Sequence, residues 1–247
     1  MKIEIGCQRP SSTSLWEEYS GERRDMRICG VDDAGRGPVI GPLVIAGILV
    51  DERGLNDLVR LGVKDSKLLS PKRREYLAGE ILRIVGDYRI VKVPPSEIDH
   101  VVKHGGRLNR LNRLEAHVMA SIIRELKPDI AYVDASDIFP ERFKQHIAEE
   151  LPFTIEIVSE HKADKIYPVV SAASIIAKVE RDREIENLKR IYGDFGSGYA
   201  ADPKTILFLK RWIEEHGSCP DFARSSWKTV KRLLRDEGQG RQKRLIP

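Results

Sequence analysis

Runs of Val and Ile bounded by Gly and Pro set the rhythm of the chain from residue 26 onward. MRICGVDDAGRG, from residue 26, and PLVIAGILV, from residue 42, are strand-like and joined by a Gly/Pro turn too short for a crossover helix, which predicts a hairpin. DYRIVKVPP over 87–95 predicts a third strand, and DIAYVDA over 129–135 and FTIEIVSE over 153–160 a fourth and fifth. Before Pro128, Leu108, Leu111, Leu114, Val118, Ile122 and Leu126 recur at helical spacing. Pro168 suits a first helical turn, and Val169, Ala172, Ile176 and Val179 then follow one side of a long helix reaching Tyr192. Further helices are expected at 71–84, 203–215 and 224–235. Three strands, a helical stretch and two more strands separated by helices predict an α/β fold, a mixed five-stranded sheet with helices on its faces and a C-terminal helical cap.

Length and composition narrow this picture. A chain of 247 residues holds one well-buried core with at most a small appendage. Residues 1–26 are polar and unpatterned and read as a loosely ordered leader, 27–200 as the core, and 201–247 as a basic helical subdomain and tail. With 41% hydrophobic and 32% charged residues and no apolar run of about 18 residues, the chain reads as soluble, with no membrane partner. The N-terminus lacks the apolar stretch of a secretory signal, so the cytoplasm is the expected compartment, and a monomer the expected state. Cys7, Cys29 and Cys219 are far apart and odd in number, so a disulfide framework and a Cys-x-x-Cys zinc site are not indicated, and any metal must be held by oxygen. The net charge of +4 is C-terminal in origin: from Ala200 onward there are 11 Lys/Arg against 6 Asp/Glu, an excess suited either to a phosphate backbone or to a solvated tail.

Four acids stand at strand ends or helix starts: Asp32 and Asp33 after ICGV, Asp134 after IAYV, and Asp164 ahead of the long helix. Carboxylates gathered at one sheet edge repel each other unless cations fill the space, and hard divalent ions prefer such ligands. That is the design of a two-metal phosphoryl-transfer site; taken singly, each acid is equally a turn or a helix cap. In the following loop, Gly35, Arg36 and Gly37 combine close backbone approach with a planar donor for phosphate or sugar oxygens, although a tight hairpin turn explains the same pattern.

VDDAGRGPVIGP resembles the opening motif of ribonuclease H type 2, usually DEAGRG. VKDSKLLSP at 63–71, YVDAS at 132–136, HKAD at 161–164, SAASIIAKVERDR at 171–183, FGSGYAADPKT at 195–205 and SSWKTVKRL at 225–233 are similar to its archaeal branch, in the same order. The resemblance spans about residues 26–235. It implies an endoribonuclease that cuts the RNA strand of an RNA/DNA hybrid, or a single ribonucleotide within duplex DNA, on the 5′ side of the ribonucleotide, leaving 3′-hydroxyl and 5′-phosphate ends. It further implies that Asp32, Asp33, Asp134 and Asp164 hold two Mg²⁺ or Mn²⁺ ions, that Gly35, Arg36 and Gly37 meet the sugar at the cut, and that Tyr199 stacks on the adjoining deoxyribose.

Position 33 departs from the family, which has glutamate where this chain has aspartate. Either the lineage compensates for the shorter reach, or the metal site is weakened and the protein is a slow enzyme or a non-catalytic duplex binder. A nuclease of the same fold acting on DNA junctions is a further rival, against which the Gly35–Gly37 loop and Tyr199 speak. Lys67, Lys178 and Arg181 match family positions suited to phosphate contact. Lys228, Lys231, Arg232 and Arg235 fall at i, i+3, i+4 and i+7 with Trp227, Val230 and Leu234 behind them, a basic face suited to a duplex. The six histidines show no metal-ligand spacing; His161 is either a surface loop residue or a proton shuttle near Asp164. The terminal QGRQKRLIP faintly resembles a sliding-clamp binding peptide without its aromatic pair.

Overall fold

The computed structural model describes residues 25–63, 69–105 and 110–245, with side chains as far as residue 238. Residues 1–24 of the expected leader, Lys67 and Leu108, and the side chains of the terminal QGRQKRLIP lie outside the described residues.

Five strands form one sheet in the order β3-β2-β1-β4-β5. β1 (Ile28–Ala34), β2 (Leu43–Val50) and β3 (Asp87–Val93) are an antiparallel meander. β4 (Ile130–Asp134) runs parallel to β1, and β5 (Glu156–Glu160) parallel to β4. The expected mixed sheet is therefore observed. Because β1 lies at its centre and Val31 pairs with Val133, Asp32 and Asp134 end neighbouring strands at the same level.

The two-residue period of a strand decides which face each side chain serves. Val44, Ala46, Ile48 and Val50 pack with α7 (Pro168–Tyr192) and α2 (Pro71–Ile84) in one apolar cluster, beside α1 (Glu52–Leu61). Leu43, Ile45 and Leu49, with Cys29 and Val31, pack against α4 (Arg110–Leu126) and α5 (Pro140–Glu149) in a second. Each large apolar side chain so buried contributes about 1.5–3 kcal/mol. Gly30 lets α7 close on the sheet, since a Cβ there would stand 2.4 Å from the Val169 carbonyl carbon and oxygen. A third cluster joins α8 (Pro203–His216) and α9 (Lys228–Leu245) to the β1–β2 connection through Val39, Ile40, Ile185, Phe195, Leu209, Phe222 and Val230.

Several boundaries differ from the sequence expectation. The third strand stops at Val93 because Pro95 opens α3 (Pro95–His104), and the fifth begins only at Glu156. The last helix starts at Lys228 rather than 224, because Asp99 of α3 accepts hydrogen bonds from the amides and hydroxyls of both Ser225 and Ser226 and holds that segment as a turn. Helices α1, α3, α5 and α6 (Ala163–Ile166) were not expected; at ten residues or fewer their apolar period is short. The caps of α1 are nonetheless regular, with the Asp51 carboxylate accepting from the Gly54 amide and Gly62 closing the helix in the left-handed region.

Candidate active site

At the carboxyl ends of β1 and β4 a cleft of about 460 Å³ is lined by Asp32, Asp33, Asp134, Asp164, Gly35, Arg36, Gly37, Lys178, Arg181 and Tyr199. Ten of the residues singled out in the sequence are thus brought together from β1, β4, α6, α7 and two loops. Sequence reasoning missed Arg74 and Asp182, which line the same cleft and pair at 2.9 Å. Arg74 comes from a different helix and carries no local pattern that marks it.

Asp32 and Asp33 are neighbours on a strand and so leave the sheet on opposite faces. Asp32 is buried on the α7 side, where Ser174 and Lys178 face it, and its Oδ1 accepts from the Asp33 amide at 2.7 Å. Burial, then the Asp33 and Asp134 carboxylates, push the Asp32 carboxyl well above the usual range against the pull of Ser174 and Lys178. Asp33, on the α4 side, accepts from the Ser136 hydroxyl at 3.3 Å. Burial raises its carboxyl and Arg36 draws it back. Asp134 accepts from the Ala163 amide at 3.0 Å, which ties the end of β4 to the short helix carrying the buried Asp164. Lys162, at φ 60°, makes the left-handed turn that brings Asp164 round from β5.

Oxygen-only donors, crowded anions and a polar cleft match the ligand chemistry of a hard divalent cation. As the side chains stand, no three of the described His, Cys, Asp or Glu converge on a common point.

Arg36 is a brace before it is a ligand. Its Nη1 donates to Glu115 Oε2 and to the Ser136 carbonyl, both at 2.9 Å, and its Nη2 to Asn112 Oδ1 at 2.7 Å, so three of its five N–H groups are used within the protein. Asn112 in turn donates to buried Asp137, which also holds Arg142. Glu115 is fully buried, and burial with the nearby Asp33 pushes its carboxyl up to about 8 against the pull of Arg36. It was legible in principle, as an acid on the apolar face of α4 between Leu114 and Met119. Gly35 and Gly37 differ in what they require. Gly35 has φ 87°, and a Cβ there would lie 2.6 Å from the Pro42 carbonyl; at Gly37 a Cβ would meet only Tyr199 Cε1, at an ordinary 3.8 Å.

Tyr199 is set beside that loop by the preceding residue, since the Gly198 carbonyl accepts from the Val39 and Ile40 amides. The Arg181 guanidinium lies 5.2 Å from its ring centroid and donates to the Ser197 carbonyl at 3.0 Å. Lys178 donates to Ser174 at 2.7 Å. Lys228, Lys231, Arg232 and Arg235 are exposed on α9 with Val230 buried behind them, away from the cleft lining. His161 is exposed, and its ring nitrogens stand 3.3 and 3.2 Å from the carbonyls of Ala135 and Ile138.

Comparison with known proteins bears on the whole arrangement. The family model described as Ribonuclease HII matches residues 29–230. The chain is 50% identical over 210 residues to the ribonuclease HII of Thermococcus kodakarensis, covering 84% of this chain and 90% of that protein. The crystal structure of the ribonuclease H2 from Pyrococcus horikoshii superposes with a TM-score of 0.80 at 44% identity, covering 87% of this chain and all of that one. The ribonuclease HII of Archaeoglobus fulgidus, solved in complex with PCNA, gives 0.75 at 48% identity, covering 83% and 96%. No described helix is long and apolar enough to cross a membrane.

Proposed function

We propose that this chain, which belongs to the ribonuclease HII family and is thus a metal-dependent endonuclease of RNA/DNA hybrids, cuts on the 5′ side of a ribonucleotide, both within RNA runs and at single ribonucleotides in duplex DNA. The observation that carries the reading is the convergence of Asp32, Asp33, Asp134 and Asp164 with the Gly35–Gly37 loop and Tyr199 on one cleft. Two divalent ions, Mg²⁺ or Mn²⁺, held by these four acids would supply the Lewis acidity for phosphodiester hydrolysis to 3′-hydroxyl and 5′-phosphate ends.

The chain's own residues account for the rest. The Gly35–Gly37 loop offers main-chain donors to a 2′-hydroxyl, the group that distinguishes RNA from DNA. Tyr199, half-exposed beside Gly37, offers a ring face to the next sugar. Lys178, Arg181 and Arg74 give the cleft the positive charge that a bent phosphate backbone needs near an acidic centre. Lys228, Lys231, Arg232 and Arg235 form a second, exposed basic face for the flanking duplex, and residues 201–247 serve as the duplex-holding subdomain of a core over 27–200. The A. fulgidus relative, solved with PCNA, supports a sliding clamp as a partner of this chain too, and the terminal QGRQKRLIP is the segment the sequence offers for that contact.

Incubation with Mg²⁺ or Mn²⁺ and, in parallel, an RNA/DNA hybrid, a duplex with one ribonucleotide, and a branched DNA tests the reading. Cleavage of the first two with 5′-phosphate products is expected. Binding without cleavage under either ion would instead favour the non-catalytic reading that Asp33 motivates. Asp33→Glu separates the remaining alternatives: unchanged turnover means a compensated site, and a gain means a handicapped one.

A further inference from the structure

We propose that Arg224 is a positioning residue for ribose recognition: it sets the direction of the Arg36 and Gly37 amides from behind the cleft. The inference rests on the role just assigned to that loop.

Arg224 has no solvent exposure. Its Nη1 donates to the Arg36 carbonyl at 2.7 Å, its Nη2 to the carbonyls of Gly35 at 2.5 Å and Gly41 at 3.0 Å, and its Nε to Gly41 again at 3.2 Å. Trp227 Nε1 donates to the Gly37 carbonyl at 3.2 Å, and the Arg224 guanidinium lies 5.0 Å from the Trp227 ring centroid. Every carbonyl of the Gly-Arg-Gly loop is therefore held by two side chains from the far end of the sequence. Burying a guanidinium is costly, and an apolar side chain would fill the space more cheaply. What an apolar side chain cannot do is orient three carbonyls.

Orientation of a carbonyl is orientation of an amide. A trans peptide is planar, and its C=O and N–H point in opposite directions. Fixing the Gly35 carbonyl toward Arg224 turns the Arg36 N–H away from it, and fixing the Arg36 carbonyl does the same for the Gly37 N–H. These two donors belong to residues that line the cleft. The next residue, Pro38, has no N–H, so the series of loop donors ends with these two. The holding segment is itself fixed: the Arg224 amide donates to the Val39 carbonyl, and Asp99 takes both amides and both hydroxyls of Ser225 and Ser226.

The test compares wild type, Arg224→Gln, Arg224→Lys and Trp227→Phe in the full chain, using one duplex with a single ribonucleotide and its all-DNA counterpart. KM and kcat are measured on the first and Kd on both. In wild type the ribonucleotide duplex is bound more tightly. In Arg224→Gln that contrast shrinks, with KM for the ribonucleotide duplex raised about tenfold, the scale of one misdirected hydrogen bond. The Kd for all-DNA duplex stays unchanged, and Arg224→Lys, which restores one donor, recovers part of the contrast. Trp227→Phe deletes the bond to the Gly37 carbonyl, whose peptide carries no N–H because Pro38 follows, and serves as the control: the contrast stays near wild type, and a loss equal to that of Arg224→Gln would overturn the inference. A purely structural role would lower the active fraction and kcat alike on every substrate and leave both KM and the contrast untouched, which would overturn the inference. Should Arg224→Gln fail to fold, Arg224→Lys decides, and a wild-type contrast there overturns the inference as well. Absence of any contrast in wild type would instead count against the proposed function itself.

Discussion

Glu115 Oε2 and Arg36 Nη1 lie 2.9 Å apart, the carboxylate with no solvent exposure and the guanidinium 35% exposed. The pair fastens the recognition loop to α4 from the side opposite α7. Glu115→Ala leaves the guanidinium without this buried acceptor and is expected to destabilise the fold by about 1–3 kcal/mol. Glu115→Gln keeps an acceptor of the same shape and should cost less. Urea denaturation of the two variants beside wild type checks the order, and equal losses would mean that the charge, not the bond, matters at this site.

The two loop glycines respond differently to a methyl group. Gly35→Ala forces a β-carbon into a positive-φ residue and against the Pro42 carbonyl at 2.6 Å, so stability falls. Gly37→Ala has room, with Tyr199 Cε1 at 3.8 Å, so its melting temperature stays near wild type. If the sugar approaches this loop, Gly37→Ala loses cleavage all the same. Undiminished cleavage by a folded Gly37→Ala protein would remove Gly37 from the substrate contacts.

Asp32 is buried and is raised by burial and by two neighbouring carboxylates. Asp32→Asn therefore removes self-repulsion. Without divalent ions the variant should melt above wild type, while its turnover falls by orders of magnitude. Adding Mg²⁺ or Mn²⁺ stabilises wild type by about 2.7 kcal/mol at a hundredfold excess over Kd, and the variant by much less. Calorimetry with and without each ion reads both effects, and an equal metal response in the variant would exclude Asp32 as a ligand.

Acid should release the segment that carries Arg224. Burial alone would raise the Asp99 carboxyl, but the hydrogen bonds from Ser225 and Ser226, with Lys103 nearby, outweigh it and hold the group below its usual range. A depressed carboxyl contributes stability above the unfolded value near 4 and loses it as pH falls through the folded one. Asp99→Asn should accordingly be less stable than wild type at neutral pH. The gap should close as pH falls from above the unfolded value through the lower folded one. A gap that persists in strong acid would show that shape, not charge, makes the latch.

The sheet was legible because its period is two and its strands are rich in Val and Ile, and α7 because Val169, Ala172, Ile176 and Val179 repeat over several turns. The acids were legible because strand ends in a sheet of this order meet at one edge. Arg224 was not, because nothing near FARSSW shows that its side chain crosses to residues 35–41; only the tertiary structure joins positions 183–189 residues apart. Arg74 and Asp182 were missed for the same reason. The loop-braced Arg36 shows the converse limit, since sequence gave the donor but not the Glu115 and Asn112 that already occupy it.

The long span between Gly35 and Arg224 also bears on order of synthesis. All five described strands lie before residue 161 and the fourth acid is Asp164, so a growing chain has made its sheet segments and its four acids well ahead of the side chain that holds the Gly35 carbonyl. Translation at about 5–20 residues per second delivers Arg224 about 3–12 seconds after Asp164. On the roles proposed above, a half-made chain thus carries its acids before the support of its sugar-reading loop, and the segment around Arg224 joins the one to the other.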